Sequence, residues 1–254
     1  MEKFPKQLEM INQRIISFTD DIDINNSLIS ILKKSDSLES KIILSDLYFK
    51  INKPEESIKV LKKHSLFSEL FSLAVNLDMI NDGKLSQEIL LYIIDNSLNE
   101  PIVEKSIYEL GKVLEKRSSM KKIDLPISNF MNQNRYFNSP FVKTNEQDSI
   151  SLYKAKRMYD SLNIKGNNLQ SIFRTAEIDF KIFQYLDESL NSYMYIKNNS
   201  RDRDMKLKVI NRIADVLIAK GDLESAVDFL DDEIAKKEWN DSEKIFFQIK
   251  LNQI

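Results

Sequence analysis

The sequence predicts an all-α protein, built as an α-solenoid of antiparallel helix pairs. Its 254 residues include only four Gly and five Pro, which is too few for the many tight turns of a β-sandwich, barrel or propeller. Apolar residues recur at helical spacing along most of the chain, as at Leu8, Ile11 and Ile15. Because the segments between turn signals are short, each helix is expected to fold back against the one before it.

Start signals such as Lys53-Pro54-Glu55 and stop signals such as Lys220-Gly221 mark the ends of these helices. They divide the chain into about thirteen segments of helical length. The helices are expected at residues 5–18, 25–34, 36–51, 54–65, 67–81, 84–97, 100–117, 148–164, 168–184, 187–198, 203–220, 223–237 and 240–254.

One segment interrupts this regular succession. Residues 118–147 combine Pro126 and Pro140 with several Asn, which predicts a long loop. The loop also contains Tyr136 and Phe137, which are too apolar for a free linker, so we expect it to pack between two helical stacks. The predicted organisation is therefore N-terminal helical repeats at 1–117, the loop, and C-terminal repeats at 148–254.

Composition argues against most catalytic chemistry. The chain has no Cys and a single His, which excludes thiolate nucleophiles, disulfides, Cys-ligated metals and metal sites with two His ligands. His64 follows Lys62 and Lys63 at a predicted helix end, where a cation interacts favourably with the helix dipole. No glycine spacing suits a phosphate-binding loop. We therefore expect no catalytic residue, no metal and no cofactor, and interpret the chain as not an enzyme.

The charge balance and the apolar runs bear on partners and location. A net charge of -2 and a pI near 5.7 give no general reason to bind nucleic acid or an anionic membrane surface. The longest apolar run, residues 89–94, is far shorter than the ~20 residues of a membrane span. We find no secretory signal pattern, so the expected protein is soluble and cytoplasmic by default, without nucleic acid or a membrane span.

Two stretches of the chain align as copies of one helix-turn-helix unit. Between residues 44–61 and 213–230, the apolar residues, the small residues and the turn superpose. The same frame accepts Ala176 and Ser189, and more weakly Val75, with Glu88 as the anchor of the second helix. The period is about 34 residues.

This pattern resembles the tetratricopeptide repeat (TPR), a pair of antiparallel helices with small residues where the helices meet. Ala214 and Ala226 match the small residues of the family's two helices, and Gly221 matches its turn glycine. The family's Trp and terminal Pro are absent at the matching places. A second frame through Gly166 overlaps the one through Ser189, which we prefer because it leaves a whole number of helix pairs. The resemblance implies a right-handed superhelix.

In this family, the first helices of successive pairs line a concave groove that receives an extended or helical peptide. Carried over to this sequence, the resemblance gives six candidate binding residues of mixed charge: Arg174, Ile178, Lys181, Lys208, Asn211 and Asp215. Such a groove suits a peptide with acidic residues among apolar anchors. The densest cationic run, at residues 197–212, is either a site for an acidic peptide or an ordinary charged helix face.

The resemblance implies a noncatalytic protein–protein interaction module or scaffold, which binds a peptide segment or a neighbouring subunit of a larger assembly. The alternative is a peptide-responsive regulatory sensor attached to an effector that is not visible in this chain. An enzyme with an unrecognised site is the third interpretation, since a fold does not by itself define a function.

Overall fold

The computed structural model describes residues 22–119, 146–166, 168–252 and 254, and in these ranges it contains helices and no strand. The α-helices are α1 (Ile22–Lys34), α2 (Leu38–Lys50), α3 (Pro54–Lys63), α4 (Phe67–Met79), α5 (Gly83–Asn96), α6 (Glu100–Ser119), α7 (Glu146–Gly166), α8 (Leu169–Ile178), α9 (Leu186–Asn199), α10 (Arg203–Ala219), α11 (Leu223–Ala235) and α12 (Asp241–Leu251). A π-helical turn, Asp179–Phe183, continues α8. None of these helices is long and apolar enough to cross a bilayer.

The all-α prediction is confirmed, and the helices agree with those expected from the sequence to within a few residues at each end. One difference is internal, because the helix expected at 168–184 ends as an α-helix at Ile178. The helix expected at 5–18 lies outside the described residues. So does most of the predicted loop at 118–147, although its first two residues end α6 and its last two begin α7.

The chain divides into two compact units, Met1–Glu109 and Leu110–Ile254. In the first unit, α1 to α4 each pack against the next helix in sequence. In the second unit, the same neighbour packing runs from α7 to α12, and α10 also contacts α12. Helices joined by a few residues and packed on each other are antiparallel, so each unit has the solenoid-like order that the sequence predicts.

Buried small residues mark the contact between the two helices of each pair. Ser45 on α2 and Ser57 on α3 are 3% and 0% exposed, and their hydroxyl oxygens lie 2.7 Å apart. In the next pair, Ala74 on α4 and Ser86 on α5 are fully buried. The frame that placed the second-helix anchor at Glu88 was wrong, because Glu88 is exposed and Ser86 occupies that place.

The second unit repeats this arrangement. Ala176 on α8 and Ser189 on α9 are fully buried, as are Ala214 on α10 and Ala226 on α11. The pair of α8 and α9 therefore follows the frame through Ser189 rather than the frame through Gly166. Short side chains at these positions allow the helix backbones to approach closely.

The turns between paired helices also recur. Asn52, Asn81 and Gly221 each follow the small residue of the first helix by seven positions, and all three adopt a left-handed conformation, with φ of 59°, 67° and 79°. Gly and Asn tolerate this conformation best. The second helix begins two residues later in each case, at Pro54, Gly83 and Leu223. At the start of α11, Asp222 accepts a hydrogen bond from the Ser225 amide at 3.1 Å.

The π turn accommodates one extra residue. The small residues Ala176 and Ser189 are thirteen apart, whereas the other pairs are twelve apart, and the left-handed residue Gln184 is likewise one position late. A π turn is a single-residue insertion into an α-helix. It places Asp179 in the interior at 3% exposure, where Lys156 donates to both carboxylate oxygens at 2.5 and 2.7 Å. Burial raises the pKa of Asp179 above its ordinary value, with Lys156 opposing the rise.

We predict that Ala226→Arg destabilises the protein by roughly 3–5 kcal/mol, because it forces a long charged side chain into a fully buried contact. Thermal unfolding followed by circular dichroism measures the effect. The matched control is Asp228→Arg, which introduces the same side chain at an exposed position of α11. Equal melting temperatures for the two variants would contradict the packing described above.

We predict opposite effects for two equivalent serines. Ser57→Ala leaves the buried Ser45 hydroxyl without its partner and should cost about 1–3 kcal/mol. Ser86 Oγ is buried with no hydrogen-bond partner among the described residues, so Ser86→Ala removes an unsatisfied group and should be neutral or stabilising. Urea unfolding of both variants tests this difference, and a larger loss for Ser86→Ala would refute it.

Candidate functional site

The six predicted groove residues lie on α8, the π turn and α10, all in the second unit. Arg174 and Ile178 are on α8, Lys181 is in the π turn, and Lys208, Asn211 and Asp215 are on α10. The structure gives these side chains different surroundings. Three of them take part in ion pairs, one is buried, and two remain on the surface.

Arg174 binds a carboxylate on α6. Its Nε donates to Glu115 Oε1 at 3.1 Å, and its Nη2 donates to Glu115 Oε2. The second unit thus joins α6 and α8 through a bidentate pair, which fixes orientation better than a single contact. Nearby, the ring of Tyr159 occupies the space that a side chain at Gly111 would need, since an added Cβ would lie 2.5 Å from the ring. Burial and then Glu115 raise the pKa of Tyr159 above its ordinary value.

Glu177 joins α8 to α10 and α9. Arg212 donates to its two carboxylate oxygens at 2.5 and 3.3 Å, Tyr193 donates its hydroxyl at 2.7 Å, and Lys181 forms an ion pair with it. Burial alone would raise the pKa of Glu177, but the hydrogen bonds from Arg212 and the charges of Arg212 and Lys181 outweigh it, so the pKa is lowered. The charge of Lys181 is therefore neutralised by Glu177, within the second unit.

Asp215 repeats this role between α10 and α12. It accepts from Arg212 Nη1 at 2.9 Å and forms an ion pair with Lys250. The pairs Glu177–Arg212 and Asp215–Lys250 each span 35 residues, and a cation stands three residues before a carboxylate in both Arg174/Glu177 and Arg212/Asp215. We call the pairs Glu115–Arg174, Glu177–Arg212 and Asp215–Lys250 the ion-pair ladder.

The ladder identifies the first helices of successive pairs. Arg203 near the start of α10 donates to Glu243 near the start of α12 at 2.5 Å, while Asp215 and Lys250 pair near their ends. The hydrogen bond from Arg203 lowers the pKa of Glu243 to about 2. Because the start of α10 pairs with the start of α12 and the two ends also pair, the helices run parallel, as alternate helices of a solenoid do. The sides of α10 and α12 on which these ion pairs lie form one surface, which we call the first-helix surface.

Ile178 lies in the interior at 3% exposure. Ala176 and Ala214 are equivalent small residues, so Ile178 corresponds to Val216, which is also fully buried. In this register, the places on α8 that match Lys208 and Asn211 are Gln170 and Phe173. The positions on α8 that were assigned to the groove from the family resemblance were therefore one residue too far along the chain.

Lys208 and Asn211 remain on the first-helix surface. Lys208 is exposed and makes no ion pair with the residues that the structure describes. Asn211 is half-buried and donates to the Leu207 carbonyl oxygen at 2.9 Å. Of the predicted groove cations, Lys208 is thus the one that stays available to a ligand.

Sequence reasoning missed an apolar patch on α12. Phe246 and Ile249 are 52% and 53% exposed. They follow Lys208 and Asn211 by 38 residues, the same interval that separates Arg212 from Lys250, so they occupy the equivalent places on the next first helix. Asp215 pairs with Lys250, and Asn211 and Phe246 each stand one turn earlier on their helices, on the same side as this ion pair. The 38-residue interval between Arg212 and Lys250 was the signal in the sequence that could have located this patch.

Three of the six basic residues in the cationic run at residues 197–212 are paired within the second unit. Lys197 binds Glu233 at 2.6 Å, and Arg203 and Arg212 bind the carboxylates described above. These three residues support the interpretation of a charged helix face with structural partners. In the part of the chain that the structure describes, no group of three His, Asp or Glu side chains is placed to hold a metal ion.

No protein-family model matches the sequence, and no curated protein matches it. The resemblance to tetratricopeptide repeats therefore depends on the residue positions themselves.

We predict that Glu177 stabilises the fold in a pH-dependent way. Its pKa is lowered in the folded state, so its contribution is present above the ordinary Glu pKa near 4.3 and is lost as the pH falls through the folded-state pKa. Glu177→Gln should cost about 1–3 kcal/mol at pH 7 and much less at pH 3. Urea unfolding at both pH values measures this, with Asp228→Asn on the exposed face of α11 as control. An equal loss at both pH values would exclude the ion pair as the cause.

Proposed function

We propose that this chain is a noncatalytic interaction module with TPR-like repeats, which binds a segment of a partner protein along its first-helix surface. The observation that carries the proposal is the exposure of Phe246 and Ile249 at the places on α12 that correspond to Lys208 and Asn211 on α10. Large apolar side chains that stand together on a surface mark interaction sites. They occupy the positions at which TPR-like repeats contact a peptide.

The helix pairs support the repeat assignment. Four pairs carry a buried small residue on each helix, twelve or thirteen residues apart, and each of the four first helices ends near a residue of positive φ. A single helix pair cannot bury its apolar side alone, so such repeats stack and present their first helices as a continuous surface. The stacking of α8, α10 and α12 through the ion-pair ladder is this kind of arrangement.

The chemistry of the surface suggests the kind of segment that binds. Phe246 and Ile249 suit apolar anchors of the ligand, and Lys208 suits an acidic residue beside them. The ladder cations are already neutralised by carboxylates, so they add little net positive charge. A segment with acidic residues among apolar anchors fits this surface better than a nucleic acid, which needs a basic stripe.

Arg174 is a poor probe of this proposal, because its charge is used by Glu115. Arg174→Glu would place two carboxylates together and disturb the contact of α6 with α8. The binding test must use residues without a structural partner, which are the exposed apolar residues of α12 and Lys208.

We predict that the double variant Phe246→Ser and Ile249→Ser loses at least about tenfold of its capture of protein partners, because two exposed apolar contacts disappear. The measurement is quantitative affinity purification with the folded chain as bait. Ile31→Ser with Ile80→Ser is the matched control, since these residues are 64% and 62% exposed in the first unit. Equal capture by wild type and the α12 variant, both folded by circular dichroism, would refute the first-helix surface as the binding site.

We predict that Lys208→Glu weakens the same capture in a salt-dependent way. An exposed charge contributes little to stability but steers association with an opposite charge. The loss should be several-fold at low salt and should shrink as added salt screens the charges. A loss of equal size at both salt concentrations would argue against an acidic residue in the bound segment.

A further inference from the structure

A cavity of about 220 Å³ lies at one end of the second unit, away from the first-helix surface. It opens between the end of α9, the start of α10 and the connection from α11 to α12. Its lining is mostly polar and includes three lysines: Lys197, Lys206, Lys236, Asn198, Glu238, Ile210 and Trp239. We call this cavity the lysine pocket.

Two of the lysines are held in place by a buried carboxylate. Glu233 is 1% exposed, and its Oε1 accepts from Lys197 Nζ at 2.6 Å and from Lys236 Nζ at 2.7 Å. Its Oε2 accepts from Trp239 Nε1 at 3.2 Å. Burial opposes the charge of Glu233, but the hydrogen bonds from the two lysines outweigh it, so its pKa is lowered and it stays ionised at neutral pH. Each ammonium group keeps donors that Glu233 does not use.

The wall of the pocket is also fixed. Arg203 donates to the Glu238 carbonyl oxygen at 2.6 Å, and its guanidinium lies 5.5 Å from the centre of the Trp239 ring. Trp239 packs edge-on against Phe247 at a ring separation of 5.5 Å. A site whose walls are held before binding loses less free energy on ordering than a flexible one.

The pocket has one positive charge in excess. Three lysines and Glu238 are among its lining residues, and Glu233 pairs with two of the lysines, so three positive charges stand against two negative ones. Lys206 is half-buried and forms no ion pair with the residues that the structure describes. An anion that joins Lys206 would supply a charge-assisted hydrogen-bond partner for its ammonium group.

We propose that the lysine pocket binds a carboxylate group, which accepts hydrogen bonds from Lys206 and from the free donors of Lys197 and Lys236. The single excess charge matches one carboxylate, and the negative charge of the lining residue Glu238 disfavours a dianion such as a phosphate monoester. The volume holds an acidic side chain or a small organic acid. The two sources of the carboxylate are therefore an Asp, Glu or chain terminus of a partner protein and a free monocarboxylate.

This site is separate from the first-helix surface. Lys206 and Ile210 are one turn apart on the side of α10 that faces the α11–α12 connection, whereas Lys208 and Asn211 lie on the ladder side. The two proposals can therefore fail independently. A change at Lys206 that spares partner capture leaves the proposed function intact.

The chain offers its own reporter for the pocket. Trp239 is the single Trp of the sequence, and it both lines the pocket and hydrogen-bonds Glu233. Its fluorescence and the NMR signal of its indole N–H are titrated at constant ionic strength with sodium acetate. A second titration uses a short peptide that contains one Glu and is acetylated at its N-terminus and amidated at its C-terminus. Sodium chloride is the blank.

Lys206→Gln and Lys208→Gln are the matched variants, since both remove a lysine charge from α10 but only Lys206 lines the pocket. We expect a saturable response in wild type and in Lys208→Gln. We expect about tenfold weaker binding in Lys206→Gln, the typical effect of losing one charge-assisted hydrogen bond. A response to acetate alone assigns the pocket to a free acid, and a stronger response to the peptide assigns it to a protein side chain.

Two results overturn the proposal. One is the absence of a saturable change in both Trp239 signals with either probe, in wild-type protein that is folded by circular dichroism. The other is equal binding by wild type and Lys206→Gln, which would show that the response arises elsewhere.

Discussion

The close contact of two helices at paired small residues is the constraint on which this structure depends. Ser45 and Ser57 show it directly, since their hydroxyl oxygens are 2.7 Å apart in the interior. Ala214 and Ala226 repeat it without a polar atom. A helix pair that packs this closely brings its larger apolar residues into contact with the neighbouring pairs, as in the cluster of Ile210, Leu230 and Phe247. The interior of each unit is thus built by repetition.

A single extra residue changes one pair without breaking the repetition. The π turn absorbs it between Ala176 and Ser189, so both small residues still meet their neighbours. The wider turn brings Asp179 inside, where a carboxylate persists only with a partner, and Lys156 supplies that partner. The extra residue makes the interval from Ser189 to Ala226 37 residues, whereas that from Ala176 to Ala214 is 38. Carrying positions over at 37 residues therefore assigned the core residue Ile178 to the groove.

The ion-pair ladder separates structural charges from available ones. Arg174, Arg212 and Lys250 each neutralise a carboxylate of the preceding first helix, which fixes the register of successive repeats. Lys208 forms no such pair with the described residues, and its side chain and those of Phe246 and Ile249 are exposed. The lysine pocket shows the same division between paired and unpaired charges. Glu233 pairs with two of its lysines, and the third, Lys206, forms no ion pair with the described residues. In both regions, the side chains that these ion pairs do not use are the candidates for binding.

The sequence alone determined the helices, the order in which they pack and most of the small-residue contacts. Those features depend on local signals, such as the apolar spacing of each helix and the Lys220-Gly221 turn, which act over a few residues. The sequence did not determine which cations are available, because Arg174 and Glu115 are 59 residues apart and meet only in the folded chain. Nor did it place Glu88, Ser86 or Ile178 correctly, since a helix can rotate or add a π turn without changing its local pattern. Burial and long-range pairing are properties of the packed structure, and they decided the candidate sites.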